Sequence, residues 1–163
     1  MGFECYAGAE HLVKYLKESF DDVVIDIFPL LNKHWEEIAL NKDKVPLDPN
    51  LEKYKTLEQS GILDIFTARD DSNKLVGYCI VFTMPHMHYW STLMSSVDIF
   101  YVSPEHRGKM TGSRLMTYAE KELKASGTKV LTHHVKVAHD YSPILVRKGY
   151  KEAERIFSKY IGE

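Results

Sequence analysis

Between Val97 and Met116 a run of β-forming residues, Asp98-Ile99-Phe100-Tyr101-Val102, meets Ser103-Pro104-Glu105-His106-Arg107-Gly108-Lys109 and turns directly into an amphipathic stretch. Proline lacks the N–H that a sheet ladder needs, so Pro104 ends the strand, and Gly108 and Gly112 free the backbone where a helix begins. The first turn of that helix offers backbone N–H groups without intrahelical acceptors, together with the positive end of the helix dipole. A phosphate or pyrophosphate is the guest such a turn fits, with Arg107 and Lys109 adding charge rather than geometry. The same pattern also describes an ordinary strand-to-helix connection with solvated basic residues.

The surrounding periodicities say which elements position this turn. The N-terminal third reads as helical, with Leu12, Val13 and Leu16 on one stripe and Val24, Ile27, Phe28 and Leu31 on a second, kinked at Pro29. In His34-Trp35-Glu36-Glu37-Ile38 the helical spacing puts Trp35 and Ile38 in the core and turns His34 and Glu37 elsewhere. Asp48 and Pro49 read as N-cap and first residue of a helix that turns Leu51, Tyr54 and Leu57 inward and ends at Gly61. After Gly61 the period becomes that of strands: residues 62–69, a turn at 70–73, a return over 75–82, and a third strand beyond His86-Met87-His88-Tyr89-Trp90. Thr111–Ser126 is a helix burying Leu115, Met116, Ala119 and Leu123, stopped by Gly127.

A strand follows over Lys129–Val137. Continued to Asp140, its alternation places His133, Val135, Val137 and His139 on one face and His134, Lys136 and Asp140 on the other. A short helix spans Ser142–Lys148, and Gly149-Tyr150 opens a last strand. Antiparallel strands followed by a strand-helix-strand crossover make a mixed sheet flanked by helices, an α/β (α+β) architecture.

A chain of 163 residues, 44% of them hydrophobic, fills one core, so residues 1–163 read as one domain. Net charge is −2, which gives no bulk field for nucleic acid or an anionic membrane. Cys5 and Cys79 show neither metal-like spacing nor a disulfide framework. No apolar run approaches membrane-spanning length, and Met1-Gly2-Phe3-Glu4-Cys5 carries no basic region ahead of an apolar one, so a cytoplasmic location is expected.

The turn resembles the coenzyme A signature of the GNAT acetyltransferase superfamily, (Arg or Gln)-x-x-Gly-x-(Gly or Ala). Here it reads Arg107-Gly108-Lys109-Met110-Thr111-Gly112, which matches at the ends and carries Met110 at the middle glycine. Arg147-Lys148-Gly149-Tyr150 is similar to the family's Lys-x-Gly-Phe close. The resemblance covers the chain from the helices before residue 60 to its end and is nearest to small acetyltransferases often found in phage genomes.

What it implies is the GNAT fold with a splayed central sheet, acetyl-CoA as cosubstrate, and acetyl transfer to an amine. Tyr101 and Val102 would supply backbone contacts to the pantetheine, Arg107, Gly108, Lys109, Met110, Thr111, Gly112 and Ser113 would cradle the pyrophosphate, and His139 is a further cofactor-binding candidate. Where family members carry a tyrosine acid, this chain has Leu145. Tyr141, one helical turn earlier, either supplies that acid or packs on the short helix, and some related enzymes use no protein acid. His133 or His134 suits a water-mediated base or is a satisfied structural histidine, and Asp98 is base, orienter or structural. Glu36 and Glu37 lie on the wall that usually faces the acceptor, where a carboxylate could hold a cationic amine.

Expected partners are a small-molecule or protein amine acceptor and, with nothing in the sequence deciding it, a second copy in a homodimer. Two other readings remain. Met110 and Leu145 would suit a non-catalytic GNAT-like binding module. His86, His88, His133, His134, His139, Asp98 and Asp140 would suit a metal-dependent hydrolase, although their spacing matches no metal motif and none is assigned as a ligand.

Overall fold

The computed structural model describes residues 4–6 and 12–162, the first three by their backbone alone. Met1, Gly2 and Phe3 of the N-terminal reading lie outside the described residues. The element order is β1 (Glu4–Tyr6), β2 (Val13–Glu18), α1 (Phe20–Ile38), α2 (Leu51–Gln59), β3 (Leu63–Arg69), β4 (Leu75–His86), β5 (Tyr89–Val102), α3 (Thr111–Ala125), β6 (Val130–His133) and α4 (Ser142–Arg147). The six strands lie in sequence order in one sheet. β1 to β5 pair antiparallel, and β5 to β6 is parallel, with α3 as the crossover that parallel neighbours require.

Strand alternation gives the sheet two apolar faces. In β3, Leu63 and Ile65 point to a cluster with Phe20, Val23, Ile27 and Leu30 of α1. Phe66 and Ala68 point to the other side, with Leu115, Tyr118, Ala119 and Leu123 of α3. Gly77 of β4 allows a close approach to β5, since a Cβ there would stand 3.0 Å from the carbonyl oxygen of Tyr101. Helix α1 is capped by Ser19, whose side chain accepts from Asp22 N. The Phe20 N–H of the same first turn donates to Glu58 of α2 at 2.7 Å.

Several sequence expectations are corrected. Residues 13–18 form a strand, because Val13 and Tyr15 are both buried against the α3 face and the segment pairs with β3. Helix α1 continues through Pro29 as expected, and Pro29 is exposed like Ile25, whose carbonyl the proline leaves without its helical donor. The cap of α2 is Asn50, accepting from Lys53 N at 2.9 Å, two residues beyond Asp48. No strand follows Gly149 among the described residues.

Candidate functional site

β5 ends at Val102, and Ser103 N still donates to Val76 O at 2.8 Å before a 3-10 turn over Pro104–His106. The chain then enters α3 through two left-handed residues, Gly108 at φ 75° and Met110 at φ 65°. Glycine adopts this region freely and methionine at a cost of about 1 kcal/mol. Met110 therefore takes a backbone conformation that glycine favours, and its side chain is exposed rather than filling the turn. The first helical bond is Arg114 N to Met110 O, so the N–H groups of Thr111, Gly112 and Ser113 precede it. Unlike α1 and α2, α3 has no side-chain cap, and its first turn holds no acidic residue. A Cβ on Gly112 would lie 3.4 Å from Phe100 and from Val102, so glycine lets this first turn lie close against β5. These are donors suited to an anion, and they fit the diphosphate of coenzyme A.

Arg107 departs from the expected peripheral charge. Its Nε donates to Val102 O at 2.8 Å, its Nη2 donates to both oxygens of Glu37 at 2.9 and 2.7 Å, and its guanidinium lies 5.5 Å from the centre of the Tyr101 ring. It is geometry as much as charge, because it ties the end of β5 to the last turn of α1. Lys109 is exposed.

The sheet opens just before this turn. β6 pairs with β5 only from Met94↔Val130 to Val97↔His133. The register of β4 with β5 then jumps from Val81↔Val97 to Ile80↔Ile99, which leaves Asp98 as the extra residue of a bulge. With its partner strand bending away, the chain after His133 makes one more bond, His134 N to Val97 O at 3.2 Å, and closes into a 3-10 turn over Val137–His139. The expected alternation through Asp140 thus stops at His133. His139, expected on the face opposite His134 and Lys136, joins them in lining one small cavity of about 20 Å³ with Asp98, Tyr141 and His34.

His133 is not among those lining residues. Its ring meets Tyr141 and Tyr150 edge-on, both ring nitrogens are buried without a hydrogen-bond partner, and loss of solvation lowers its pKa to about 4. His134 Nε2 lies 3.3 Å from Ser96 Oγ. Tyr141 packs on Phe100 with ring centres 5.1 Å apart, and its buried hydroxyl has no partner, so burial pushes its pKa up. The ring of Tyr101, whose backbone is expected at the pantetheine, is buried among Tyr78, His34 and Arg107. His139 Nδ1 lies 3.8 Å from Glu37.

Two residues not assigned to the site on sequence, His34 and Lys136, line the small cavity, and His34, expected to turn away from the core, is buried. His34 is buried 5.1 Å from the Tyr101 ring, its pKa lowered to about 4 chiefly by burial. It continues the stripe Val23, Ile27, Leu30 at the next helical step, which is the signal that marks it as inward. Trp35, half-buried rather than core, lines an open groove of about 770 Å³ with Glu37, Tyr101, Glu105, Lys42 and Leu47. Glu37 and Tyr101 line the groove while His139 and His34 beside them line the small cavity, so the two spaces adjoin.

Among the described residues, no three His, Cys, Asp or Glu side chains are grouped to hold a metal ion. His86 Nδ1 accepts from His88 N at 3.1 Å inside the β4–β5 turn. No helix of the described residues is long and apolar enough to cross a membrane.

Solved structures share this fold. An aminoglycoside acetyltransferase, meta-AAC0020, from an uncultured soil metagenomic sample and in complex with sisomicin, superposes with TM-score 0.69 at 16% identity, covering 93% of this chain and 95% of its own. A ribosomal-protein-alanine N-acetyltransferase from Brucella melitensis biovar Abortus 2308 gives 0.65 at 19%, covering 91% and 98%. A predicted acetyltransferase with acetyl-CoA from Clostridium acetobutylicum gives 0.67 at 11%, covering 91% and 96%. No curated protein sequence matches. At these identities the superpositions show the fold, and membership is shown by a sequence family that spans α1 to α4: residues 26–148 match the acetyltransferase (GNAT) family, to which this chain belongs.

Proposed function

We propose that this chain is a single-domain N-acetyltransferase that takes its acetyl group from acetyl-CoA and gives it to an amine. The observation that carries the reading is the uncapped start of α3, entered through left-handed Gly108 and Met110 at the end of a strand whose neighbour has just diverged. Thr111, Gly112 and Ser113 would hold the diphosphate through backbone N–H groups, and the edge of β5 from Ile99 to Val102, no longer paired to β6, would face the pantetheine. When bound, acetyl-CoA supplies a thioester-activated acyl group, so a neutral amine gains an N–C bond as the C–S bond breaks and a proton passes to the sulfur.

The chain's own residues supply what that chemistry needs. Tyr141, with a buried unpartnered hydroxyl, holds a proton available to a leaving group in the opening. His134 and Asp98, on the cavity wall, can take the proton that the amine must lose. Trp35 and Glu37 form an aromatic and acidic wall for the acceptor, and the groove is open enough for a small-molecule amine or the end of a peptide.

The reading is tested by adding acetyl-CoA to the native chain and to Gly112→Asp and following the melting temperature. A ligand bound only by the folded state raises it. The native protein should shift and the variant should not, because a side chain at 112 meets Phe100 and Val102, pushes the first turn of α3 off β5 and sets a negative charge beside the diphosphate. Equal shifts would remove this pyrophosphate site, and no shift in either would favour a non-catalytic module. A screen of acetyl-CoA consumption across aminoglycosides, polyamines, amino sugars and peptide N-termini would then identify the acceptor.

A further inference from the structure

Glu37 links three segments around the opening. It stands on the last turn of α1, accepts twice from Arg107 at the head of the anion-binding turn, and lies 3.8 Å from His139 of the 3-10 turn after β6. Arg107 is fixed at its other end as well, by Val102 O and by the face of Tyr101. A guanidinium so engaged cannot wander as a surface cation does. Its ion pair with Glu37 is only about 30% exposed on either side chain, where charge pairs are screened less than at the surface. The contact joins residues seventy positions apart in sequence, across the gap between the acceptor wall and the phosphate turn.

We propose that Glu37 is a positioning residue for donor binding, holding Arg107 and with it the first residue of the anion-binding turn. The helix that walls the acceptor groove is thereby part of the coenzyme A site. The proposal rests on the acetyl-CoA reading and adds to it a residue outside the signature. Without the carboxylate, the Arg107 guanidinium loses both of its charge-assisted contacts and keeps only Val102 O and the face of Tyr101, so the turn is less firmly pre-arranged for the diphosphate.

The test is calorimetric binding of coenzyme A itself, which needs no acceptor, to the native chain, Glu37→Gln, Arg107→Gln and the double variant. Glu37→Gln should weaken binding by about tenfold, and the double variant should bind no worse than Arg107→Gln, because Glu37 acts through Arg107. Glu37→Asp, which keeps the charge one methylene further back, should recover part of the loss, with melting temperatures showing that all variants are folded. Unchanged affinity in Glu37→Gln, or losses that add in full, would overturn the proposal. So would tighter binding, which would make Glu37 a competitor of the diphosphate for Arg107. If the native chain binds no coenzyme A, the acetyl-CoA reading falls and this proposal with it.

Discussion

The ring of His133 stands perpendicular to that of Tyr150, with centres 5.1 Å apart, and neither of its nitrogens has a hydrogen-bond partner. A proton there would be an unpaired buried charge, which is why its pKa is lowered to about 4; burial lowers that of His34 to about 4 as well. The unfolded chain binds both protons near the ordinary value of about 6.5 while the folded chain stays neutral. Stability is therefore complete above that value and is lost as pH falls toward 4, by on the order of 3 kcal/mol for each histidine. Urea unfolding at pH 7, 5.5 and 4.5 measures this, and His133→Leu should lose visibly less over the window. Equal losses in both proteins would mean that the His133 ring is hydrated.

Arg69 is buried, with Nε 2.8 Å from Glu18 and Nη1 2.8 Å from Asp26. It joins β3 to β2 and α1 at the foot of the helix whose other end carries Glu37. Arg69→Met fills the space but leaves Glu18, itself mostly buried, without its cation. Breaking one side of such a pair costs about 3 kcal/mol. The loss should appear as a lower urea midpoint with unchanged slope. A midpoint within a few tenths of a molar of the native value would show that Thr67, whose hydroxyl also donates to Glu18, satisfies the carboxylate alone.

The parts of this molecule that were legible in the sequence are those written locally. The passage from Phe100 through Pro104 and Gly108 to Thr111 carries its strand formers, its stop and its helix start within a dozen residues. The turn at 70–73 and the stop at Gly127 are equally local. Residues 13–18 were misread because Val13 and Leu16 fit a helical stripe in so short a window, whereas the burial of Tyr15 depends on β3, fifty residues away. The divided fates of His133 and His134 were legible only as a strand alternation. What ends that alternation is the bulge at Asp98 on another strand, a long-range event. The pairing of Glu37 with Arg107 is long-range too, and helical spacing showed only that Glu37 turns away from the core.

Lys109 and Arg107, treated alike on sequence, should now separate. Lys109 is exposed, so Lys109→Ala should weaken coenzyme A by about two- to threefold at low salt and hardly at all near 0.5 M, where the screening length is a few ångströms. Arg107→Ala removes a half-buried brace, and its loss should be larger and persist at high salt. Titrations of both variants across salt concentrations check this. A parallel salt dependence would mean that Arg107 contributes charge alone.

The catalytic assignment turns on which groups reach the small cavity. Tyr141→Phe keeps the packing on Phe100 and removes a hydroxyl that has no structural partner, so the fold should be unharmed. If that hydroxyl protonates the leaving thiolate, turnover falls by about a hundredfold while coenzyme A affinity stays constant. His134→Gln and His133→Gln should then divide cleanly. His134 lines the cavity, and losing it should erase the acidic limb of the rate profile, whereas His133 sits among aromatic rings and its loss should alter stability and leave the profile's shape intact. Turnover measured from pH 5.5 to 9.5 on an acceptor found by the amine screen decides between them. Near-native turnover in Tyr141→Phe takes the tyrosine out of the mechanism, and an intact acidic limb in His134→Gln leaves Asp98, at the bulge on the same wall, to take the proton from the amine.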